Sequence, residues 1–489
     1  MNAKKTLVHL CLLGMLMQQA AHAGGISNLL DDPLQAQPEQ LESGATLPDS
    51  SRINCYTPVD FRKTLELSDA VDTALCNNPQ IRASWAEIKA QTGVVGEARA
   101  AYLPTINGSV SRLRDSTVYS SGSREPGVTS TGNQYYASLN WRLFDFGGRA
   151  ANRESANQML IAAIAGHDAS LQKTMVSVIQ AYFEAMTSQA EVSARLQIAD
   201  LAQRTLTVAQ RREDKGASTL DDTVQASTAL AKAQLNAMHA SGDYQKNIAL
   251  LKQAMGIDQS VSITLPAQPD RVIPTDIRDL SQWLKQAESQ HPAIRQARAK
   301  WTSDQEKITS VRSEGLPTLD LTAHMSRNGF PNQGLSTINQ TDKDIGLTIS
   351  IPLFEGFSRH YKVLEARAQA EQSEAEMENT REQILTDVVK AWADARTSLS
   401  ILQASQQLLD AAQAGVSSSQ RRYDKNVADI LEVMNAQSAL ADAQQQRIQA
   451  IAAWQSARLS LLASTGILGQ LSETNQGQAA GLPDGNGFN

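Results

Sequence analysis

The sequence lacks the long apolar runs of a helical membrane protein. No run of 18 or more apolar residues, the length that a spanning helix needs, occurs after residue 23 of the 489-residue chain. Charged residues make up only 19% of the chain, and its net charge of -7 gives no basic surface for nucleic acid. Because the charge is low and the aliphatic content ordinary, a disordered chain is also excluded.

Catalytic signatures are missing as well. The sequence contains no phosphate-binding G-x-x-x-x-G-K-[ST], no G-x-S-x-G, no H-E-x-x-H and no C-x-x-C motif. Five histidines lie outside the first 23 residues with no metal-ligand spacing: His167, His239, His291, His324 and His360. We therefore expect a protein that is not an enzyme and that needs no metal or cofactor.

Residues 1–23 have the pattern of a secretory signal peptide. Lys4 and Lys5 precede a short apolar stretch at 7–17, and Ala21-His22-Ala23 supplies a cleavage site of small residues. The apolar stretch is too short to anchor the chain. The remainder is expected to be exported.

Cysteine is scarce, with three in the whole chain. Cys11 leaves with the signal peptide, so Cys55 and Cys76 remain as an even pair in a compartment that permits disulfides. The sequence favours a disulfide between them over two buried thiols, although it cannot supply the distance that a disulfide requires. Neither cysteine lies at the cleavage point, so a lipidated N-terminus is not indicated.

The strongest positive signal is an internal duplication. Asn78-Pro79 recurs as His291-Pro292, 213 positions later, and four further motifs recur in the same order. These are Tyr102-Leu103-Pro104-Thr105 with Gly315-Leu316-Pro317-Thr318, Leu143-Phe144-Asp145 with Leu353-Phe354-Glu355, Arg211-Arg212-Glu213-Asp214-Lys215 with Arg421-Arg422-Tyr423-Asp424-Lys425, and Gly256-Ile257 with Gly466-Ile467. The chain is predicted to be two copies of one unit.

Each copy is predicted to contain very long helices. No proline occurs between Pro126 and Pro266 or between Pro352 and Pro483, and these intervals are rich in residues with high helix propensity. Breaks are expected at Lys215-Gly216 and Lys425-Asn426, since Gly and Asn tolerate the left-handed conformation that ends a helix. The first long helix then runs from 147 to 215 and its twin from 356 to 425, each about 100 Å long.

Four segments alternate apolar and polar residues with a period of two. They are predicted as strands at about 102–114, 134–145, 316–327 and 343–354. Alternation over about ten residues is typical of a transmembrane β-barrel strand, whereas the alternative is a soluble hairpin with one buried face. Hairpins between very long helices in an exported chain favour the membrane. Because single-chain barrels begin at eight strands, four strands require oligomerisation, and three copies would supply twelve.

The duplicated strand–strand–helix–helix plan resembles the TolC-type outer-membrane efflux proteins over about residues 66–468. The resemblance implies an α+β membrane protein that forms a homotrimer. Its 12-stranded β-barrel, four strands per protomer, would be continuous with a long α-helical barrel across the periplasm. The implied organisation is a signal peptide at 1–23, an N-terminal extension at 24–65, repeat 1 at 66–257, an equatorial linker at 258–280, repeat 2 at 281–468 and a disordered tail at 469–489.

The same resemblance points to a gate where the helix pairs turn. Glu432 falls at an acidic ring position, whereas Asn435 stands where a second acid is expected. Asp221 and Asp222 fall at positions associated with the same closing network.

Tyr423 matches a tyrosine of that network, but Ala428 stands where the family prototype has an arginine. The closed state is then held less firmly here, or by other contacts.

A structural role competes with the gate role. Thr219-x-x-Asp222 and Asp429-x-x-Glu432 read as aligned capping boxes, in which the acid bonds back to the amide of the N-cap residue. Both acids could therefore serve only to start their helices. If they also face a threefold pore, they make its entrance cation-selective.

The function implied is an outer-membrane duct for type I protein secretion. It would accept substrate from an inner-membrane ABC or proton-driven transporter through a periplasmic adaptor, with outer-membrane lipid around it and no nucleic acid as partner. Two alternatives stay open: the outer-membrane component of a multidrug efflux pump, and a periplasmic coiled-coil adaptor with no pore.

Overall fold

The computed structural model describes residues 33–36, 55, 60–118, 127–267, 277–328, 340–425 and 427–466. The expected signal peptide at 1–23, the tail at 469–489 and Asn426 lie outside the described residues, as do most of 24–65 and the middle of the linker. The described chain forms two compact units. Glu87–Ala163 and Ala297–Met377 belong to the first unit, whereas 60–86, Ile164–Gln296 and 378–466 belong to the second.

Two helices, two strands and two further helices follow each other in each of two similar series. The first is α1 (Leu67–Asn77), α2 (Pro79–Ala100), β1 (Thr105–Val118), β2 (Gly127–Phe144), α3 (Gly148–Asp214) and α4 (Leu220–Met255). The second is α5 (Leu280–Gln290), α6 (Pro292–Ser313), β3 (Thr318–Asn328), β4 (Gln340–Ser350), α7 (Ser358–Asp424) and α8 (Ile430–Ser464). None of the described helices has a stretch long and apolar enough to cross a membrane.

The long helices end close to where the sequence predicted. α3 and α7 each contain 67 residues, and each ends within one residue of its expected C-terminus. Gly216 follows α3 with a φ of +68°, a left-handed conformation that favours glycine. Absence of proline and abundance of Ala, Gln and Leu therefore sufficed to set these two elements.

The four strands form one antiparallel sheet in the order β1-β2-β3-β4. Its ladder brings apolar residues into common rows on one face, for example Ile106 beside Leu139 and Ala323 beside Ile345. The described residues leave this face largely uncovered, since Ile106 is 74% exposed and Ile345 is 75% exposed. The alternation that the sequence shows is thus an exposed apolar face, here called the outward face, opposite a polar one.

The strand ends differ from the predicted ones. β1 continues to Val118 and β2 begins at Gly127, beyond the expected ends at about 114 and 134. The ladder continues there because backbone pairing needs no apolar side chains. β4 ends at Ser350, before the expected 354, and Pro352 follows without an N–H to donate to a ladder.

The end of β2 is irregular. The ladder register shifts between Arg142 and Phe144, so that Phe144 rather than Leu143 pairs with Leu319. A strictly alternating strand would place Leu143 on the apolar face, but this bulge inserts one residue, and Phe144 takes that place instead.

An arginine holds the transition from β2 to α3. The Arg149 side chain donates to Asp145 Oδ2 at 3.0 Å and to the carbonyl oxygen of Arg142 at 2.7 Å. It also lies 4.7 Å from the centroid of the Tyr102 ring. Tyr102 therefore packs in the turn before β1, although the sequence placed it at the strand start.

An apolar core lies in the second unit. Leu171, Val178 and Tyr182 of α3 pack with Leu75 of α1 and Leu251 of α4. The Tyr182 hydroxyl donates to the carbonyl oxygen of Leu65 at 2.9 Å, so this buried polar group has a partner.

Of the two states that the sequence left open for the cysteines, the structure has the disulfide. Cys55 and Cys76 are bonded, with a Cα separation of 5.5 Å. The bond ties the segment before α1 to the last turn of that helix.

Candidate functional site

The predicted gate residues lie around two helix turns of the second unit. The first turn joins α3 to α4 and the second joins α7 to α8. The side chain of Tyr423 packs with Ile430 and Val433 in a small core between α7 and α8. Tyr423 is only 2% exposed, so it is part of the packing of the turn.

Asp222 completes the first capping box. The Asp222 amide donates to Thr219 Oγ1 at 3.3 Å, and the Thr219 amide donates to Asp222 Oδ2 at 3.4 Å. The Ser218 hydroxyl donates to the same carboxylate oxygen at 2.5 Å. Asp222 therefore starts α4, as the structural alternative predicted, and one of its oxygens is fully engaged.

Glu432 does something different from its counterpart. Its amide donates to Asp429 Oδ1 at 2.9 Å, which is the first half of a capping box. Its carboxylate does not return to the N-cap amide but accepts from Arg422 Nη1 at 2.6 Å. The prediction of two aligned capping boxes is thus wrong for the second turn, because a guanidinium is a stronger partner for a carboxylate than a neutral amide.

Arg212 links the two turns through Tyr423. Arg212 Nη1 donates to the Tyr423 carbonyl oxygen at 2.7 Å, and the guanidinium lies 4.3 Å from the centroid of the Tyr423 ring. Burial raises the pKa of Tyr423, and the nearby Arg212 charge opposes that rise. The phenol is therefore neutral at physiological pH, and the arginine bonds the backbone and the ring face.

The remaining positions of the predicted network are peripheral. Asp221 is exposed and accepts from Gln225 Nε2 at 2.7 Å on its own helix. Asn435 is exposed on α8, and the Ala428 amide donates to the Arg422 carbonyl oxygen at 3.3 Å.

Sequence reasoning missed the two arginines that make the site. Arg212 and Arg422 occupy equivalent positions in the duplicated Arg-Arg motif, 210 residues apart. The motif is visible in the sequence as a repeat, but its spacing does not show the partners of the two arginines. Arg422 bonds within its own turn, to Glu432, whereas Arg212 bonds to Tyr423 of the other turn.

Polar contacts continue between α3 and α8 away from the turns. Gln437 Nε2 donates to Thr205 Oγ1 at 2.7 Å in a buried position, and Arg195 Nη2 donates to Gln445 Oε1 at 2.5 Å. Such side-chain pairs fix the register of the two helices, since leaving a buried polar group unpaired is costly.

The polar face of the sheet in the first unit carries one arginine–aspartate ion pair and one histidine–aspartate contact. Arg142 Nε lies 3.0 Å from Asp320 Oδ1 on the neighbouring strand, and His324 Nε2 lies 2.6 Å from Asp344 Oδ1. These pairs lie opposite the exposed apolar face. A sheet that is apolar on one face and polar on the other is typical of a membrane channel wall.

The fold and the charge pattern therefore define an outer-membrane channel class, and comparison with known proteins agrees. The model of the outer membrane efflux protein family matches residues 70–257 and 283–467. The chain is 34% identical to protein CyaE of Bordetella pertussis over 85% of this chain and 87% of that one. It is 24% identical to the alkaline protease secretion protein AprF of Pseudomonas aeruginosa over 77% and 79% of the two chains.

Solved structures share the fold. The CmeC outer membrane channel of Campylobacter jejuni matches with a TM-score of 0.73 at 18% identity, over 85% of this chain and 88% of that one. The chain belongs to the outer membrane efflux protein family. It is an export protein of the outer membrane, as the sequence predicted, and its family consists of channels rather than enzymes.

Proposed function

We propose that three copies of the chain close one 12-stranded barrel in the outer membrane. The observation that carries this proposal is the four-stranded sheet, whose edge strands β1 and β4 have no neighbour among the described residues while its apolar face is exposed. Backbone groups at a sheet edge must be paired inside a bilayer, so an open four-stranded sheet cannot span it alone. Pairing β1 of one copy with β4 of the next satisfies both edges.

The helices then continue the barrel as a tunnel. α3 begins four residues after β2 ends and α7 begins eight residues after β4 ends, and the Arg149 contacts hold the first of these transitions. The family match in two segments supports a duplicated chain in which each copy contributes one helix pair. Three chains would supply twelve helices to the tunnel, and 258–280 would be its equatorial linker.

The two turns form the gate at the end of this tunnel. Asp222 starts α4, whereas the Glu432 carboxylate has Arg422 rather than a backbone amide as its partner, so it is the acid whose charge can be rearranged when the turns move. Both acids would occur three times around the axis and favour cations. Asp221 adds charge at the rim, and Tyr423 is the residue through which the turns are held.

Single-channel recording tests the gate. The Asp222→Ala/Glu432→Ala variant should lose cation selectivity several-fold, measured as a shift of the reversal potential in a salt gradient. Asp200→Ala/Asp243→Ala, which removes two exposed helix acids away from the turns, is the matched control. Unchanged selectivity in the first variant contradicts the proposed role.

The cargo best supported is protein. AprF is named as an alkaline protease secretion protein, and PrtF of Dickeya chrysanthemi, 24% identical over 83% of this chain, is named as a proteases secretion protein. We therefore assign the channel to type I secretion, receiving cargo from an inner-membrane transporter through a periplasmic adaptor. A chain of this class has no energy source of its own, so the transporter must supply it.

The second candidate is multidrug efflux, which the relative named outer membrane efflux protein BepC of Brucella suis supports at 25% identity. A strain lacking the chain separates the two candidates. Secretion predicts that a protein disappears from the culture medium while drug susceptibility stays the same. Efflux predicts the reverse, and complementation with the wild-type chain should restore either phenotype.

A further inference from the structure

The outward face of the sheet ends in basic residues. On three of the four strands, the first residue beyond the apolar stretch on this face is a cation: Arg112 after Val110 on β1, Arg327 after Met325 on β3 and Lys343 before Ile345 on β4. All three side chains are exposed. None of them forms an ion pair with a carboxylate of the part of the chain that the structure describes. We call these three residues the basic edge.

The basic edge climbs across the ladder rather than lying in one row. Lys343 pairs with Met325, and Arg327 lies two residues further along β3. Arg327 pairs with Tyr135 of β2. Arg112 pairs with Asn133, which lies two residues beyond Tyr135 in the same direction. The apolar stretch climbs in the same sense, since it ends at Ile345 on β4 and at Val110 on β1.

This slope matches the tilt of barrel strands. From Lys343 to Arg112 the edge advances by four residues, about 14 Å along the strands, while it crosses three strand spacings, also about 14 Å. The resulting angle is about 45°, and strands of membrane barrels are tilted by about 35–45°. A line of constant depth in the membrane therefore follows the basic edge, and its three cations lie at one level.

That level is the outer rim of the apolar band. The helices join the sheet at the opposite end, after Ala100 and before Gly148, whereas the β1–β2 and β3–β4 connections lie on the side of the basic edge. In the proposed channel the connections face the exterior. A cationic side chain at the border of an apolar band has a small free-energy cost of insertion. Its aliphatic part lies along the band, and its charged group reaches the lipid head groups.

The guanidinium and ammonium groups of these three side chains favour phosphate as a ligand. A guanidinium binds a phosphate through two parallel hydrogen bonds, and an ammonium binds it as a point charge. We propose that Arg112, Arg327 and Lys343 form a site for the phosphate groups of phosphorylated glycolipid in the outer leaflet. Arg114, the next outward residue of β1, extends the site. The inference rests on the proposed barrel and its orientation.

A lipid titration tests the site. The full-length protein, purified as a heat-modifiable trimer, is titrated in detergent with bisphosphorylated lipid A or with the same lipid after dephosphorylation, and bound lipid is counted by native mass spectrometry. The wild type should prefer the phosphorylated lipid. Arg112→Gln/Arg327→Gln/Lys343→Gln should weaken its binding about fivefold for each cation removed, about 100-fold in all.

Controls keep the outcomes distinct. Lys232→Gln/Lys285→Gln/Arg298→Gln removes the same charge from exposed helix positions and should bind as the wild type does. Equal binding of the two lipids by a wild-type trimer, or unchanged binding by the edge variant, overturns the lipid site and leaves the barrel standing. If the wild type forms no heat-modifiable trimer, the barrel and the lipid site both fall.

Discussion

His167 is a buried histidine whose environment favours its neutral form. It is 3% exposed, Ser84 Oγ lies 2.8 Å from its Nδ1, and the Trp85 ring lies 5.4 Å from its own. Burial lowers the pKa of His167 to about 4. Burial has the opposite effect on its neighbour Asp168, whose pKa rises to about 6 although Arg295 opposes the rise. Acidification therefore affects the two groups in opposite ways. It places an unfavourable buried charge on His167, whereas it neutralises the buried carboxylate of Asp168.

Replacement of His167 should reduce the acid sensitivity of α3. The folded-state pKa lies below the unfolded value, so the stability that His167 confers is complete above about pH 6.5 and is lost as pH falls towards 4. Between pH 7 and 5 that loss is about 2 kcal/mol. His167→Gln should remove it, measured as the opening free energy from amide exchange around residue 167. His239→Gln, at an exposed position, should keep the wild-type loss, and an identical loss in both variants contradicts the account.

Arg212 should hold the proposed gate closed. It contacts the carbonyl oxygen and the ring of Tyr423 across the two turns, and a hydrogen bond from a charged group is worth about 1.5–3 kcal/mol. Arg212→Ala should therefore raise the open probability by about tenfold or more in single-channel recordings. Arg204→Ala removes an exposed arginine of the same helix and should leave it unchanged. Equal open probabilities in the two variants count against Arg212 as a latch.

At the scale of elements, the positions of helix-breaking residues were the reliable guide to where the long helices end. Proline-free intervals and a glycine after Lys215 predicted α3 and α7 to within about a residue at their C-terminal ends. Strand ends were less predictable, because the ladder of β1 and β2 continues past the apolar alternation that marks them. The partner of Glu432 could not be predicted, since it depends on which side chain folds back across the turn.

Packing at the start of α3 should tolerate no side chain at Gly148. A Cβ there would lie 2.1 Å from Ser313 Oγ and 3.1 Å from Ser313 Cβ, so the Ser313 hydroxyl must leave its 2.7 Å hydrogen bond to the Ser310 carbonyl oxygen and the backbone near Ser313 must shift slightly. Gly148→Ala should lower the yield of heat-modifiable protein, and a second change, Ser313→Gly, should restore it. Gly93→Ala, where nothing lies within 4 Å, is the neutral control. A Gly148→Ala chain that assembles like the wild type would contradict this prediction, since it would show that the contact between α3 and α6 accommodates a methyl group.

At the scale of the whole molecule, the sheet explains why a protein with ordinary composition belongs in a membrane. Alternating strands need apolar residues on one face only, so 41% hydrophobic residues suffice and no long apolar run appears. The sequence predicted the four strands and their exposed face through this alternation. It could not predict the contacts of Arg149 and Arg212, because a repeated motif shows which residues recur but not which partner each side chain reaches.

Cross-linking of the sheet edges tests the central claim most directly. A cysteine replaces Ile106 on β1 and, in a scan, Ile345, Leu347 or Ile349 on β4 of the same chain, all on the outward face. Oxidation of the purified protein should convert at least one combination into covalent dimers and trimers on a denaturing gel. Leu139→Cys on the inner strand β2, combined with the same β4 positions, should give monomers only. Monomers from every Ile106 combination would contradict a barrel closed by β1 and β4 of neighbouring copies.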